Sequence, residues 1–376
     1  MNILEQTSLH IVLFFILYGI TGVVSLIAAV YLLLRRGNAF APDVTPPLRL
    51  RRWAAAFFAV SALGHVWWMF FYIYSRDIHS ATYVAVVVLD CVTQMTTVAG
   101  TLLAMLQDRR RPVWPASAAM LPFVALGLLH ICYSDGPFVS VAVFYILALY
   151  VLFSVYMAFA VRRYGRWLND NYADLENKKV WLTQVVSLVC LLLFLLYCLV
   201  DNDSILIYIL HVVAMVLYVL LLWRVETLPQ LAIASKSQDD HEPDSEADQE
   251  SGQQSQKSVT IPSNIGQLLT EHCVDSQLYL QHDLSLAQLS AAVGINRFYL
   301  SQYFSSQGMN YNTYINALRI QHFVTLYRQT VADRRSVTAQ QLAQESGFRS
   351  YSTFSSAFKQ RMGQSVTVWM RDMAQD

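Results

Sequence analysis

Two groups of residues in this chain have the types and spacing to do chemistry. The first lies inside long apolar runs: Asp90, with Gln94 one helical turn on, and the histidines His65 and His211. An ionisable group in hydrocarbon is costly unless it is paired or put to use, and a histidine titrates near neutral pH. Together these side chains could hold a proton or a small polar ligand. The second group lies between residues 286 and 361, where two similar segments carry Ser, Gln, Thr, Tyr or Phe beside Arg or Lys. Such side chains hydrogen-bond base edges, touch thymine methyls and neutralise phosphates. The sequence holds no Walker loop, kinase signature, nucleophile motif or metal-ligand cluster. Its five cysteines (Cys91, Cys132, Cys190, Cys198, Cys273) show no paired spacing. No enzymatic activity, metal or cofactor is therefore expected, and a heme held by two histidines is the less favoured alternative.

The elements that would carry the first group are membrane spans. The chain is 55% hydrophobic and 14% charged, against about 25% charged in soluble domains. Spanning a bilayer takes about 20 apolar residues. Seven segments qualify, at roughly 10–34, 53–74, 82–106, 116–133, 138–161, 181–200 and 205–223. The first is too long for a signal-peptide core and ends in Arg35 and Arg36, so it reads as a true span. Loops on one side hold thirteen basic residues, from Arg35 to Lys179, and those on the other hold only Arg76. That asymmetry predicts the inner (cytoplasmic) membrane, an outside N-terminus and a cytoplasmic C-terminus. His65, Asp90, His130 and His211 then share the outer half, within roughly 5–14 Å of its boundary at 1.5 Å per residue. Outer loops such as 134–137 and 201–204 are too short for a binding domain, so sensing of a small ligand or protons would fall to the bundle. The competing reading of each residue is a structural bond to a neighbouring helix.

Residues 225–260 read as a linker between a membrane domain, 1–224, and a C-terminal domain, 261–376. Within it, 237–258 hold seven acidic residues and no large apolar one. Such a stretch buries too little surface to offset its chain entropy, so disorder is expected. After Val259 apolar residues return at helical spacing. A short segment, 286–293, ends at Gly294, and another, 339–346, ends at Gly347. Each precedes a second segment with apolar residues four apart, Leu300 and Phe304, then Phe354 and Phe358. Asn296 and Ser350 are N-cap candidates before those second segments. This is the layout of two helix-turn-helix units, joined by a long helix at about 313–329.

The run Tyr299 to Phe304, with Gly308 and the run Tyr314 to Ile320, resembles the first half of an AraC/XylS-type DNA-binding domain. Leu342, Ala343, Gly347, Phe348, Ser350, Ser352, Phe354, Phe358, Lys359, Gly363 and Ser365 resemble its second half. The resemblance covers 265–372 and implies a double helix-turn-helix that reads duplex DNA. It implies base reading by Phe298, Ser301 and Gln302 in the first unit, and by Tyr351, Ser352, Thr353, Ser355 and Ser356 in the second. Arg297, Arg349, Lys359 and Arg361 read as phosphate contacts. The sequence departs from the pattern in three places. The stretch from Phe304 to Gly308 is one residue short, so the first recognition helix is expected to end early; Val366 replaces a frequent Pro, and Ser356 a frequent Arg.

Residues 261–376 carry nine basic and seven acidic side chains. So small a surplus releases few counterions, so one copy should bind weakly and a homodimer on two sites is the natural remedy. The expected fold is all-α: a seven-transmembrane helix bundle followed by a soluble all-helical domain with two helix-turn-helix units. The expected function is a membrane-anchored one-component transcription regulator. The alternatives are a small transporter or membrane enzyme with an appended DNA-binding module, and a scaffold whose C-terminal domain binds protein. Only Pro122 clearly interrupts a span, whereas a transporter would show broken spans.

Overall fold

The computed structural model describes residues 3–35, 38–42, 44–74, 80–133, 136–176, 178–181, 185–186, 188–189, 204–231, 264–335 and 337–373. Among these residues the fold is all-helical and contains no named strand. It divides into two compact units, Met1–Tyr164 with Val180–Ala232, and Gly165–Lys179 with Ile233–Asp376.

The first unit is built from α1 (Ile3–Leu34), α2 (Leu48–Tyr74), α3 (Ala81–Ala104), α4 (Trp114–Ala118), α5 (Leu121–Cys132), α6 (Phe138–Asn171, which enters the second unit at Gly165) and α7 (Ser204–Thr227). Six stretches among the described residues are long and apolar enough to cross a membrane, with α4 and α5 together making one of them. The span expected at 181–200 lies largely outside the described residues. The break between α4 and α5 follows from Pro122. It sits in the first turn of α5, where no backbone N–H is required. The carbonyl of Ala119 at the break accepts the Tyr145 hydroxyl at 2.7 Å. Side chains such as Ile27, Leu63, Phe70, Leu152 and Phe159 are exposed, as hydrocarbon-facing residues of a bundle must be, since lipid is their solvent.

The last turn of α7 and the residues just beyond it remain packed in this unit. Val225, Leu228 and Leu231 are buried. The Glu226 carboxylate accepts the Tyr31 hydroxyl at 2.8 Å and the Ala39 N–H at 2.9 Å. The Gln107 amide accepts the Leu231 N–H and donates to the Pro229 carbonyl. Residues 225–231, expected to begin the linker, thus close the end of the bundle, while the acidic stretch 237–258 lies outside the described residues.

The second unit contains α8 (Ile265–Leu269), continued by a π turn over Thr270–Asp275, then α9 (Leu286–Val293), α10 (Arg297–Ser306), α11 (Tyr311–Ala332), α12 (Ala339–Glu345), α13 (Tyr351–Met362) and α14 (Val366–Met373). It has two cores. One gathers Ile265, Leu269, Cys273, Leu289, Leu300 and Phe304; the other gathers Phe323, Leu342, Phe348, Phe354, Phe358 and Trp369. Tyr311 and Ile315 of α11 belong to the first, and Ile320, Phe323 and Tyr327 to the second. The spacing-based assignment of Leu300, Phe304, Phe354 and Phe358 to the core therefore holds. Val366, in place of a frequent Pro, opens α14 and is buried. Burial pushes the Cys273 thiol up to about 11, which fits its service as a small apolar side chain.

One buried cation ties the halves together. Arg319 of α11 is 1% exposed. It donates from Nε to the Tyr279 carbonyl at 2.8 Å and from Nη2 to the Gln281 carbonyl at 2.7 Å, and it lies over the Phe348 ring. Burial lowers its guanidinium to about 10, so it stays charged at neutral pH. The loop 278–285 is thereby fixed between the first and second helix-turn-helix units.

Candidate nucleic-acid interface and intramembrane polar cluster

Each helix-turn-helix unit is assembled by short-range chemistry. In the first, Ser285 and Gln288 form a capping box at the start of α9. The helix ends at Gly294 with φ +74°, a conformation that favours a residue without Cβ. Asn296 then caps α10 by accepting the Phe298 N–H at 2.8 Å. In the second, Thr338 and Gln341 form the same box for α12, and Ser350 caps α13 by accepting the Thr353 N–H at 3.3 Å. The two Ser/Thr-x-x-Gln boxes were legible as a sequence signal and had not been singled out. α10 is ten residues long and α13 twelve, in line with the short stretch before Gly308.

The core aromatics point α10 and α13 outward along their polar faces. Phe298 is 60% exposed, an apolar side chain presented to solvent at the start of a recognition helix. Arg297, Ser301 and Gln302 are half-buried, and the Gln302 Oε1 is enclosed without a hydrogen-bond partner among the described residues. On α13, Tyr351, Ser352, Ser356, Lys359 and Arg361 are exposed, while Thr353 and Ser355 are half-buried. The Thr353 hydroxyl accepts Ser350 Oγ at 3.1 Å and so belongs to the cap. Arg349, expected on a phosphate, stands 3.3 Å from the Asp283 carboxylate. Asp283 had not been singled out, because a lone acidic residue in a loop carries no pattern.

The intramembrane residues expected to act together come from three helices, and Tyr18 on a fourth joins them. His65 on α2 packs its ring 4.6 Å from that of Tyr18 on α1, and Tyr18 lies 5.8 Å from His211 on α7. The Tyr18 hydroxyl donates to the His65 carbonyl at 2.7 Å. His65 Nδ1 lies 2.7 Å from the Ser61 carbonyl. A carbonyl only accepts, so the proton of that contact sits on Nδ1 and Nε2 is the remaining site. Asp90 on α3 accepts the Trp68 indole N–H at 3.4 Å, and Gln94 donates to Ser61 Oγ at 3.2 Å. The helices meet closely here: a Cβ on Gly64 would stand 3.0 Å from Asp90 Oδ1, and one on Gly22 would stand 3.2 Å from the His65 side chain. Asp90 therefore finds its donor in an indole; among the described residues no ion pair joins it to a histidine. The sequence reading missed Tyr18, Ser61 and Trp68, although a hydroxyl or indole inside a span is a usable signal.

Residues 289–372 match the family described as Helix-turn-helix domain, of the AraC type. The chain thus carries an AraC-type helix-turn-helix domain behind a set of membrane-spanning helices, and with it the DNA-binding part of a transcription regulator. No curated protein and no solved structure matches the chain.

Proposed function

We propose that this protein is a membrane-anchored one-component transcription regulator without catalytic activity of its own. The observation that carries the reading is the pair of capped second helices, α10 and α13. Each turns two residues of Leu300, Phe304, Phe354 and Phe358 into a core and leaves base-competent side chains outside. Base reading falls to Phe298, Ser301, Tyr351, Ser352 and Ser356, and phosphate contact to Arg297, Lys359 and Arg361. With so few cations, two copies on paired sites supply the affinity that one lacks. The cluster of Tyr18, His65, Asp90 and His211 is the sensing site for a small ligand or protons, since ionisable groups inside a membrane are functional by default.

The N-terminus is outside and the DNA-binding domain cytoplasmic. Charge asymmetry motivates this, and parity supports it. The antiparallel bridge between Tyr172 and Ser285 needs residues 165–179 and 264–373 on one side of the membrane. An even number of crossings must then separate them, and the sequence offers two, at 181–200 and 205–223.

The test is direct. Full-length protein in lipid nanodiscs should retain duplex DNA at low salt, and genome-wide mapping should show occupancy at discrete promoters. A reporter active only in the cytoplasm should work when fused after Asp376 and stay silent when inserted at 134–137. Absence of any duplex binding at low salt would overturn the regulator reading.

A further inference from the structure

The segment Gly165–Lys179 clusters with the DNA-binding unit, although Tyr172 and Asn312 are 140 residues apart in sequence. Its docking is specific. Tyr172 pairs with Ser285 in an antiparallel bridge, and the Ala173 N–H donates to the Leu284 carbonyl at 3.3 Å. Asn312, in the first turn of α11, donates from Nδ2 to the Tyr172 and Ala173 carbonyls at 3.1 and 2.6 Å. Ala173 is 0% exposed and belongs to the first core with Ile265, Leu269, Leu284 and Leu286. The segment fills a place in that core which residues 264–373 leave for it. Buried carbonyls are costly to leave unmet, and Asn312 meets two of them at once.

The same segment reaches a phosphate-contact candidate. Lys178 Nζ donates to the Asp174 carbonyl at 2.8 Å and stands 3.4 Å from Asp283 Oδ1. The other oxygen of Asp283 faces Arg349 at 3.3 Å. One carboxylate is therefore shared between the segment and the turn before α13. The segment is also continuous in sequence with membrane-unit residues on both sides, Tyr164 and Val180, so a rearrangement of the spans acts on it through the chain.

We propose that Gly165–Lys179 is a strap through which the membrane unit gates DNA binding, the docked strap being the competent state. Docked, it completes the core beneath α9 and α10, and Lys178 shares the Asp283 carboxylate with Arg349. Withdrawn, it opens the first core beside the N-cap of α9 and leaves Asp283 to hold Arg349. This rests on the DNA-binding reading given above. The acidic linker then serves as a tether, and the control runs through the strap.

The test uses the full chain in nanodiscs with a fluorescent nonspecific duplex at low salt. Antiparallel partners stand about 4.5–5.5 Å apart between Cα atoms, within disulfide reach, so Tyr172→Cys with Ser285→Cys should cross-link under mild oxidation, and this oxidised pair sets the reference affinity. Asn312→Ala and Ala173→Asp should each bind duplex roughly tenfold more weakly as the docked fraction falls, with hydrogen exchange over 339–373 unchanged. Oxidising the cysteine pair in the Asn312→Ala background should restore the affinity. Failure to cross-link overturns the docking. Wild-type affinity in both undocked variants, or a loss that the disulfide does not restore, overturns the gating. If the wild-type chain itself retains no duplex, the DNA-binding reading falls first and the strap's role with it.

Discussion

Gly347 and Leu280 approach so closely that a Cβ on Gly347 would stand 2.7 Å from the Leu280 carbonyl oxygen and 2.8 Å from its Cα. Gly347 also has φ +86°. Backbone meets backbone at the seam between the helix-turn-helix units, beside the carbonyls that Arg319 gathers. Gly347→Ala combines a left-handed conformation, costing about 1–3 kcal/mol, with a contact that only a backbone shift relieves. The variant should show faster hydrogen exchange across α12 and α13 and weaker duplex binding. Wild-type exchange in both helices would contradict the seam.

Exposed residues of the recognition helices should separate into two kinds by salt dependence. Lys359→Ala or Arg361→Ala should weaken binding to all duplexes alike and reduce the slope of log affinity against log salt by about 1. Phe298→Ala and Ser352→Ala should leave the slope unchanged and relax sequence preference at one position each. Arg349→Ala should change the slope less than Lys359→Ala, because Asp283 already compensates Arg349. Equal slope changes for Arg349 and Lys359 would show that the pair with Asp283 is absent in solution.

Cys273 reports on the first core. Its thiol is fully buried and pushed up to about 11, mainly by burial, against an ordinary 9.0. The fold thus favours the protonated thiol. Stability from this group is full below about pH 9 and is lost as the pH rises from there towards 11. At pH 8 a maleimide should modify Cys273 only after urea unfolds the domain. Rapid labelling of Cys273 in the native chain would mean that the first core is open.

Much of the DNA-binding unit was legible because its rules are local. Apolar spacing identified Leu300, Phe304, Phe354 and Phe358, and polar cap residues identified Asn296 and Ser350. The joining helix is longer than expected, Tyr311–Ala332, because Asn310 caps it two residues earlier and Tyr311 is itself core. What the spacing could not carry was the strap. Ala173 has no local signature, and Lys178 and Lys179 registered only as charges that orient the bundle. Contacts across 140 residues leave no trace in local period. The intramembrane group was found from cost, since Asp90 in a span demands explanation, but its donor, Trp68, came from a neighbouring helix whose rotation the sequence does not fix.

The polar cluster makes a functional prediction for the bundle. His65 has its Nδ1 against the Ser61 carbonyl, so its Nε2 is the position at which a proton or ligand would arrive. A promoter reporter in cells whose external pH is stepped between about 5 and 8 should respond with the wild-type protein. With His65→Ala or Asp90→Asn it should stay at one level, while the protein still accumulates in the membrane. A full response in both variants removes the cluster from the sensing path. A silent wild type removes protons as the signal, and external thiol reagents at cysteines placed on positions 65, 90 and 211 then test access for a ligand.

The strap also bears on how the chain is made. Residues 165–179 leave the ribosome before α7 and before every helix of the domain they complete. They can meet Leu284 and Asn312 only if the last crossings insert so that both stretches end on the same face of the bilayer. A chain threaded the wrong way strands Ala173 across the membrane and leaves the first core short of a residue. If the spans cross as proposed, correct insertion is a condition for finishing that domain, because only then does Ala173 reach the first core.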